Sequence, residues 1–317
     1  MRCDVERWRL TCYNRHMTVT AGILLLLSVV VHAGWNAISR QHRPATAFML
    51  LAGATGTVLV APMALWHAPQ LLDVPPTFWV ALGGTSLFMA LYYIALAGAY
   101  RVGEMSLVYP LARALPALLV PLVSVCLGRA NGVTWWLGLG GWLIVAGALL
   151  LPMHHFADLR AAHYRSRAFV LAIITAVGTT GYTVLDYYCM NLLQQPGGPL
   201  GPIAAPLSYI AIQGLFTCLW LLLYVLASRR ERDALKGVLR RSMRPAILTG
   251  LGIYLAYTLV LAAYTHVTDA SYVAAFRQLS IPVGVVFGLT LLGERRTGPK
   301  LVGAAMILAG VVIASLS

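Results

Sequence analysis

The chain repeats itself at about half its length. The stretch AYRVGEMSLVYPLARALPALLVPLVSVCLGRA, from Ala99 to Ala130, is answered by AYTHVTDASYVAAFRQLSIPVGVVFGLTLLGER, from Ala263 to Arg295. Tyr100 faces Tyr264 and Arg113 faces Arg277, with the same offset of 164 positions each time (264 − 100, 277 − 113). One position later in phase, Leu127–Gly128 faces Leu292–Gly293, and Gly140, Ile144, Ala146 and Gly147 then face Gly303, Ile307, Ala309 and Gly310. Such a pattern is a duplication, and each copy carries one arginine inside an apolar run. A fold for this chain must place two related halves together and find a use for both arginines.

Composition fixes the medium. Hydrophobic residues make up 59% of the 317 residues and charged residues 10%, whereas soluble domains carry about 25% charged residues. The mean hydropathy is +0.77. Apolar runs of about twenty residues recur, the length that a helix needs to cross a hydrocarbon core of roughly 30 Å. The runs are continuous rather than alternating, which argues against a membrane β-barrel. The expected class is an all-α membrane protein embedded in a lipid bilayer. The net charge of +13 sits between the apolar runs, as loop arginines do in membrane proteins, and so does not point to nucleic acid. The five cysteines (Cys3, Cys12, Cys126, Cys189, Cys218) show neither a disulfide framework nor a zinc spacing.

Ten transmembrane helices are expected, at about 18–38, 46–66, 77–99, 105–127 and 133–152, then 168–190, 203–227, 246–266, 269–292 and 299–316. The breakers Pro44, Pro75–Pro76, Gly103, Asn131–Gly132, Gly197–Gly198–Pro199 and Gly298–Pro299 fall between them. The domains are then a first repeat at 18–152, a linker at 153–167 and a second repeat at 168–317. Residues 1–17 form a polar, basic extension, and Met17 reads as an alternative translation start. With five spans per copy, the second copy enters the membrane inverted. Inverted repeats are a common build for secondary transporters, with the site at the repeat interface near the bilayer midplane.

Basic residues set an expected orientation. Loops after the odd spans hold Arg40, Arg43, Arg101, Arg160, Arg165 and Arg167, the cluster from Arg229 to Arg244, and Arg295, Arg296 and Lys300. Loops after the even spans hold only Arg129. The odd loops are therefore placed in the cytoplasm and both termini outside, against the pull of Arg2, Arg7, Arg9 and Arg15. Residues 228–244 are long enough for a surface helix, with Leu235, Val238 and Leu239 on one face. Such a segment either lies on an anionic leaflet or is a solvated basic loop.

Ionisable groups at membrane depth are site candidates because they are costly there. His32, Trp35, Asn36 and Ser39 recur at helical spacing on the first span. They line a cavity or bond a neighbouring helix. Tyr109 and Arg113 lie one turn apart on the fourth span, followed by Pro116 and Pro121, which free backbone carbonyls. Broken backbone of that kind is tolerated where it lines a cavity or is covered by protein. Arg113 lies too deep in its run for easy snorkelling. Arg277 and Gln278 on the ninth span, with Ser280 and Pro282 following, mirror it. Two such arginines make an anion clamp, or each locks its own half. Tyr182 and Asp186 share a side of the sixth span. Asp186 carries a coupling proton, pairs with a cationic substrate, bridges to an arginine, or sits at the interface. Tyr254 and Tyr257 on the eighth span, and Tyr92–Tyr93 on the third, are either interfacial or cavity-lining.

No nucleophile–base pair, phosphate loop or metal-binding histidine pair is present. The chain is expected not to be an enzyme and to need no cofactor and no metal.

The segments HAGWN at 32–36, SLVYPLARALPALLVPLVSVCLG at 106–128 and FRQLSIPVGVVFGLTLLGER at 276–295 resemble the EamA-like family of the drug/metabolite transporter superfamily, over about 18–317. The resemblance implies ten spans as two inverted five-helix EamA repeats, a central cavity and secondary transport, often efflux of amino acids or other small metabolites. Some relatives with a similar HAxWN start are associated with phosphonate use. The first copy reads LGRA at 127–130 where the second reads LGER, so Glu294 has no partner acid there. Related four-span exporters couple protons through a first-span glutamate, near whose place this chain has His32. A coupling proton, if used, falls to His32 or Asp186.

The expected function is an inner-membrane transporter of a bacterial cell that exports a small polar or amphipathic molecule, amino-acid-like or an organic anion, as a monomer or homodimer. On this reading Arg113 and Arg277 bind the anion or hold the gates. An accessory or scaffold membrane protein without cargo of its own, and an importer, are the alternatives.

Overall fold

The computed structural model describes residues 17–41, 45–102, 105–129, 133–153, 155–156, 167–194, 199–291 and 295–316. The 1–16 extension, Glu294 and most of the linker lie outside the described residues. The helices are α1 (Val19–Gln41), α2 (Thr46–Trp66), the short α3 (Ala68–Leu72), α4 (Pro76–Val102), α5 (Met105–Ala114), α6 (Pro116–Cys126), α7 (Trp135–Leu150) and α8 (Arg167–Gln194). After them come α9 (Ala204–Ala227), α10 (Arg229–Arg241), α11 (Met243–Ala263), α12 (Ala270–Phe276), α13 (Ser280–Leu291) and α14 (Gly298–Ser315). Among the described residues the one β-type contact is an isolated antiparallel bridge between Met17 and Val267.

Among the described residues eight helical stretches are long and apolar enough to cross a membrane, and Pro110–Cys126 and Trp135–Leu150 are shorter apolar stretches. The outer surface agrees. Trp66, Val58, Val80, Trp142, Leu223 and Val312 are among many large apolar side chains left exposed. An exposed apolar belt of that size has no stable place in water and matches a lipid-facing one. The protein is an all-α, multi-pass membrane protein.

Helix pairing is crosswise. The most extensive packing joins α4 to α8, α1 to α11, α7 to α14 and α2 to α9. Without a hydrophobic drive between helices in lipid, such contacts depend on small residues that bring backbones together. The α7–α14 seam shows how. A Cβ on Gly147 would lie 2.5 Å from the Gly303 carbonyl oxygen, and one on Gly303 would lie 2.5 Å from that of Gly147. Gly140 and Gly310 oppose each other the same way, at 2.4 and 2.6 Å. These are the glycines that the sequence repeat had aligned.

Two of the expected spans are broken in mid-run. The fourth divides at Leu115 into α5 and α6, because Pro116 has no N–H to give to the Ala112 carbonyl. Proline at the first position of α6 then starts the next helix without cost. The ninth passes from α12 through a 3-10 turn at Arg277–Leu279 into α13, where Pro282 likewise releases the Gln278 carbonyl. Arg113 lies at the end of α5, and Arg277 opens the 3-10 turn. Both arginines therefore sit where a helix is interrupted.

The basic stretch after α9 folds as the helix α10, capped by the Ser228 hydroxyl, which accepts from the Glu231 N–H. It is fastened to the bundle. Glu231, 1% exposed, pairs with Arg101 at the end of α4 and accepts from the Ala47 N–H at the start of α2. Leu235 packs near Ala47 and Leu50, and Val238 near Phe48 and Ala246, while Leu239 stays exposed.

Candidate binding cavity

Residues from α1, α2, α4, α8, α9 and α11 and the Arg277 turn surround one cavity of about 680 Å³, its open mouth included. Six large aromatic side chains stand in its walls: Trp35, Tyr92, Tyr93, Tyr182, Tyr254 and Tyr257. Met49, near the start of α2, and Leu221, near the end of α9, carry the lining toward the end of the bundle that bears α10. The opposite end is filled. Leu71, Phe78, Leu82, Leu193, Leu261 and Tyr264 form its apolar core there.

The tyrosines hold one another by edge-to-face contacts, with centroids 4.9 Å apart for Tyr92–Tyr93, 5.8 Å for Tyr92–Tyr182 and 5.9 Å for Tyr182–Tyr257. This geometry suits ring quadrupoles and leaves ring faces for other partners. One partner is Arg277. Its Cζ lies 5.4 Å from the Tyr257 centroid and 6.0 Å from that of Tyr182, within cation–π range. No described carboxylate lies within ion-pair distance of Arg277. The guanidinium is thus positioned by aromatic faces, and no described acid neutralises its charge.

Arg113 is held differently. One of its terminal nitrogens meets His32 Nε2 at 2.5 Å; the other donates to the Ser280 hydroxyl at 2.6 Å and to the Arg277 carbonyl at 3.3 Å. It braces α1, α5 and the second break together. With Pro116, Thr179, Tyr182, Arg277 and Gln278 it lines a smaller side cavity. Gln278 Nε2 donates to the Ala274 carbonyl at 2.9 Å, while Gln278 Oε1 is buried without a partner.

Asp186 is fully buried and lies behind the cavity wall. Thr85 Oγ1 at 2.5 Å, Tyr209 OH at 2.6 Å and Gln213 Nε2 at 2.9 Å donate to its Oδ1. Gln213 also reaches Oδ2 at 3.1 Å, and the Tyr257 hydroxyl donates to that oxygen. Hydrogen bonds of this number offset the desolvation of a buried carboxylate. They tie α4, α8, α9 and α11 at one point. Neither Arg113 nor Arg277 pairs with Asp186. Asp269, 1% exposed, is a second buried acid; it caps α12 and accepts from Ser124 of α6 at 3.1 Å.

Of the side chains singled out in the sequence, His32, Trp35, Tyr182, Tyr257 and Arg277 line the main cavity. Arg113 and Gln278 line the side cavity. Asn36 lies outside both linings and donates to the His32 carbonyl at 2.8 Å, and Asp186 stands one layer behind. Tyr109 is on α5, with its side chain outside the described set. Gln213 and Thr217 were missed. Gln213 is the one side-chain amide in the apolar run of α9, a signal of the same kind as a lone intramembrane asparagine.

No family model matches the chain, and no curated protein matches it significantly. A solved crystal structure is similar over 93% of this chain and 98% of its own, with a TM-score of 0.66 at 15% sequence identity. At that identity the likeness speaks for the fold alone.

Proposed function

We propose that the protein is a secondary transporter, an EamA-like member of the drug/metabolite transporter superfamily, built as two inverted five-helix repeats. The observation that carries this reading is the cavity itself: aromatic-walled, bearing an arginine at a helix break, reaching toward the α10 end and sealed at the other. Discontinuous helices that present polar groups at mid-depth are a feature of transporter sites. The packing also fits an inverted pair. If the copies run in order, the α4–α8 contact joins the third span to the sixth, and the α1–α11 contact joins the first to the eighth. Those are exchanged partners under a two-fold relation, while α7–α14 and α2–α9 each join a span to its own counterpart.

On the arginine distribution the α10 end faces the cytoplasm, so this conformation is open inward in a bacterial inner membrane. The substrate is a small polar or amphipathic metabolite, moved outward by alternating access. Asp186 holds the outer floor of the cavity through Tyr257 and Gln213, which makes it the group through which a coupling proton would act on the site.

Metabolite profiling of medium and cytosol tests this reading. It compares a deletion strain, an overexpressor, and an overexpressor of Arg277→Ala with matched membrane levels. A compound class that appears outside only with the intact protein is the expected result. Accumulation inside would reverse the direction, and no change across growth conditions would contradict transport.

A further inference from the structure

Among the side chains that line the main cavity none is acidic, and Arg277 is a fixed cation. Arg277 supplies a guanidinium with no acidic partner among the described residues. Asp186, the nearest acid in the bundle core, is walled off; its two oxygens are occupied by Thr85, Tyr209, Gln213 and Tyr257, and it is 0% exposed. Asp269 is committed to Ser271 and Ser124. Glu231 is committed to Arg101 and Ala47. A ligand ammonium in the cavity would thus find no free carboxylate among the described residues. At Tyr182 and Tyr257 the Arg277 guanidinium already lies over the ring, and a ligand ammonium there would meet a like charge. A ligand carboxylate, in contrast, meets a cation in a low-dielectric setting, where such a contact is strong and suits the planar guanidinium.

The body of the ligand is set by the rest of the wall. Five tyrosines and Trp35 enclose it, with Met49, Met89 and Ile253 between them. Offset and edge-to-face contacts favour a flat ring over a flexible chain in such a place. Two further wall residues leave polar groups unused. Trp35 is 6% exposed and Thr217 is 5% exposed, and Trp35 Nε1 and Thr217 Oγ1 are buried without hydrogen-bond partners. A buried donor without a partner is costly. An acceptor on the ligand would relieve that cost.

Resting on the transporter reading, we propose that the substrate class is a small aromatic monoanion: a carboxylate taken by Arg277, a ring held among the tyrosines, and a hydrogen-bonding substituent near Trp35 and Thr217. The inference excludes the zwitterionic amino acids, which the transporter reading alone would admit.

A charge-swap series on one ring scaffold tests it on the full-length protein in detergent micelles. The ligands are 4-hydroxyphenylacetate (anion), tyramine (cation), tyrosine (zwitterion) and cyclohexylacetate (anion without an aromatic ring). Binding is read by tryptophan fluorescence and by thermal shift. The expected result is saturable binding of 4-hydroxyphenylacetate at least tenfold tighter than of the other three. Arg277→Ala should lose that preference and Arg277→Lys should keep part of it. Thr217→Val should weaken 4-hydroxyphenylacetate several-fold while leaving cyclohexylacetate unchanged. If Arg277→Ala fails to fold, the Lys and Val variants carry the test. Tyramine or tyrosine binding as tightly as the anion would overturn the assignment, as would equal binding of cyclohexylacetate or no saturable binding of any of the four. Counterflow in proteoliposomes separates this inference from the reading beneath it. Selective anion binding without counterflow would sink the transporter and leave the site. Counterflow of tyrosine or tyramine without anion binding would do the reverse.

Discussion

Two places in the molecule carry repeated sequence, and they use it in opposite ways. In the α7–α14 seam the repeat stays symmetric: a Cβ on Gly147 would meet the Gly303 carbonyl at 2.5 Å, and one on Gly310, its repeat counterpart, would meet the carbonyl of Gly140, the counterpart of Gly303, at 2.6 Å. At the helix breaks the repeat supplies Arg113 and Arg277 in matching positions, yet the two do different work. The two terminal nitrogens of Arg113 are spent on His32, Ser280 and the Arg277 carbonyl, while its Nε is buried without a partner. Arg277 rests on tyrosine faces and points its charge at the cavity. The partner residues explain the difference. Ser280, which takes Arg113, follows Arg277 by three positions; three positions after Arg113 stands Pro116, which has no hydroxyl to offer in return. A duplicated frame can keep its packing symmetric while a single unmatched side chain assigns one arginine to the scaffold and the other to the ligand.

The sharpest way to break this comparison is to remove each arginine in turn. Arg277→Ala should cost anion binding and transport about ten- to hundredfold, the scale of a charge-assisted hydrogen bond of about 1.5–3 kcal/mol, measured by ligand titration and vesicle flux. Arg113→Ala should act mainly on stability. It removes the bonds that the guanidinium makes to Ser280 and His32 and should cost about 1–3 kcal/mol, read as a lower midpoint of thermal unfolding. The sequence alone weighted the two residues alike; the contacts shift the weight to Arg277.

The seam provides the control. Gly147→Ala and Gly310→Ala, at counterpart positions of the repeat, each place a Cβ against a facing carbonyl, and overpacking of this kind costs about 1–3 kcal/mol. The account expects the two losses to agree within about 0.5 kcal/mol; unequal losses would mean that the seam is no more symmetric than the breaks. Ser280→Ala should have the smallest effect. It removes one hydrogen bond to Arg113, about 1 kcal/mol of stability, and should leave ligand affinity within a few-fold.

Much of the fold was legible because apolar runs, prolines and paired glycines act locally. The run lengths predicted helices close to Val19–Gln41, Thr46–Trp66 and Pro76–Val102. The interruption at Leu115 followed from Pro116, which the sequence already marked as breaking the ladder, and the one at Arg277 precedes Pro282 in the same way. The site was legible in part. His32, Trp35, Tyr182, Tyr257 and Arg277 were found because polar and aromatic groups in apolar runs are conspicuous. Helical spacing could not tell that Asp186 lies behind the wall and Tyr92 and Tyr93 on it, because that depends on how α4, α8, α9 and α11 meet. Gln213 was overlooked because its role exists only against Asp186 of another helix.

The most direct measurement is the binding isotherm of 4-hydroxyphenylacetate on purified wild type, Arg277→Ala and Arg113→Ala, each shown to be folded by its unfolding transition. The account predicts that Arg113→Ala unfolds earlier but binds within a few-fold of wild type, while Arg277→Ala binds at least tenfold more weakly. Loss of binding in Arg113→Ala with affinity retained in Arg277→Ala would contradict it.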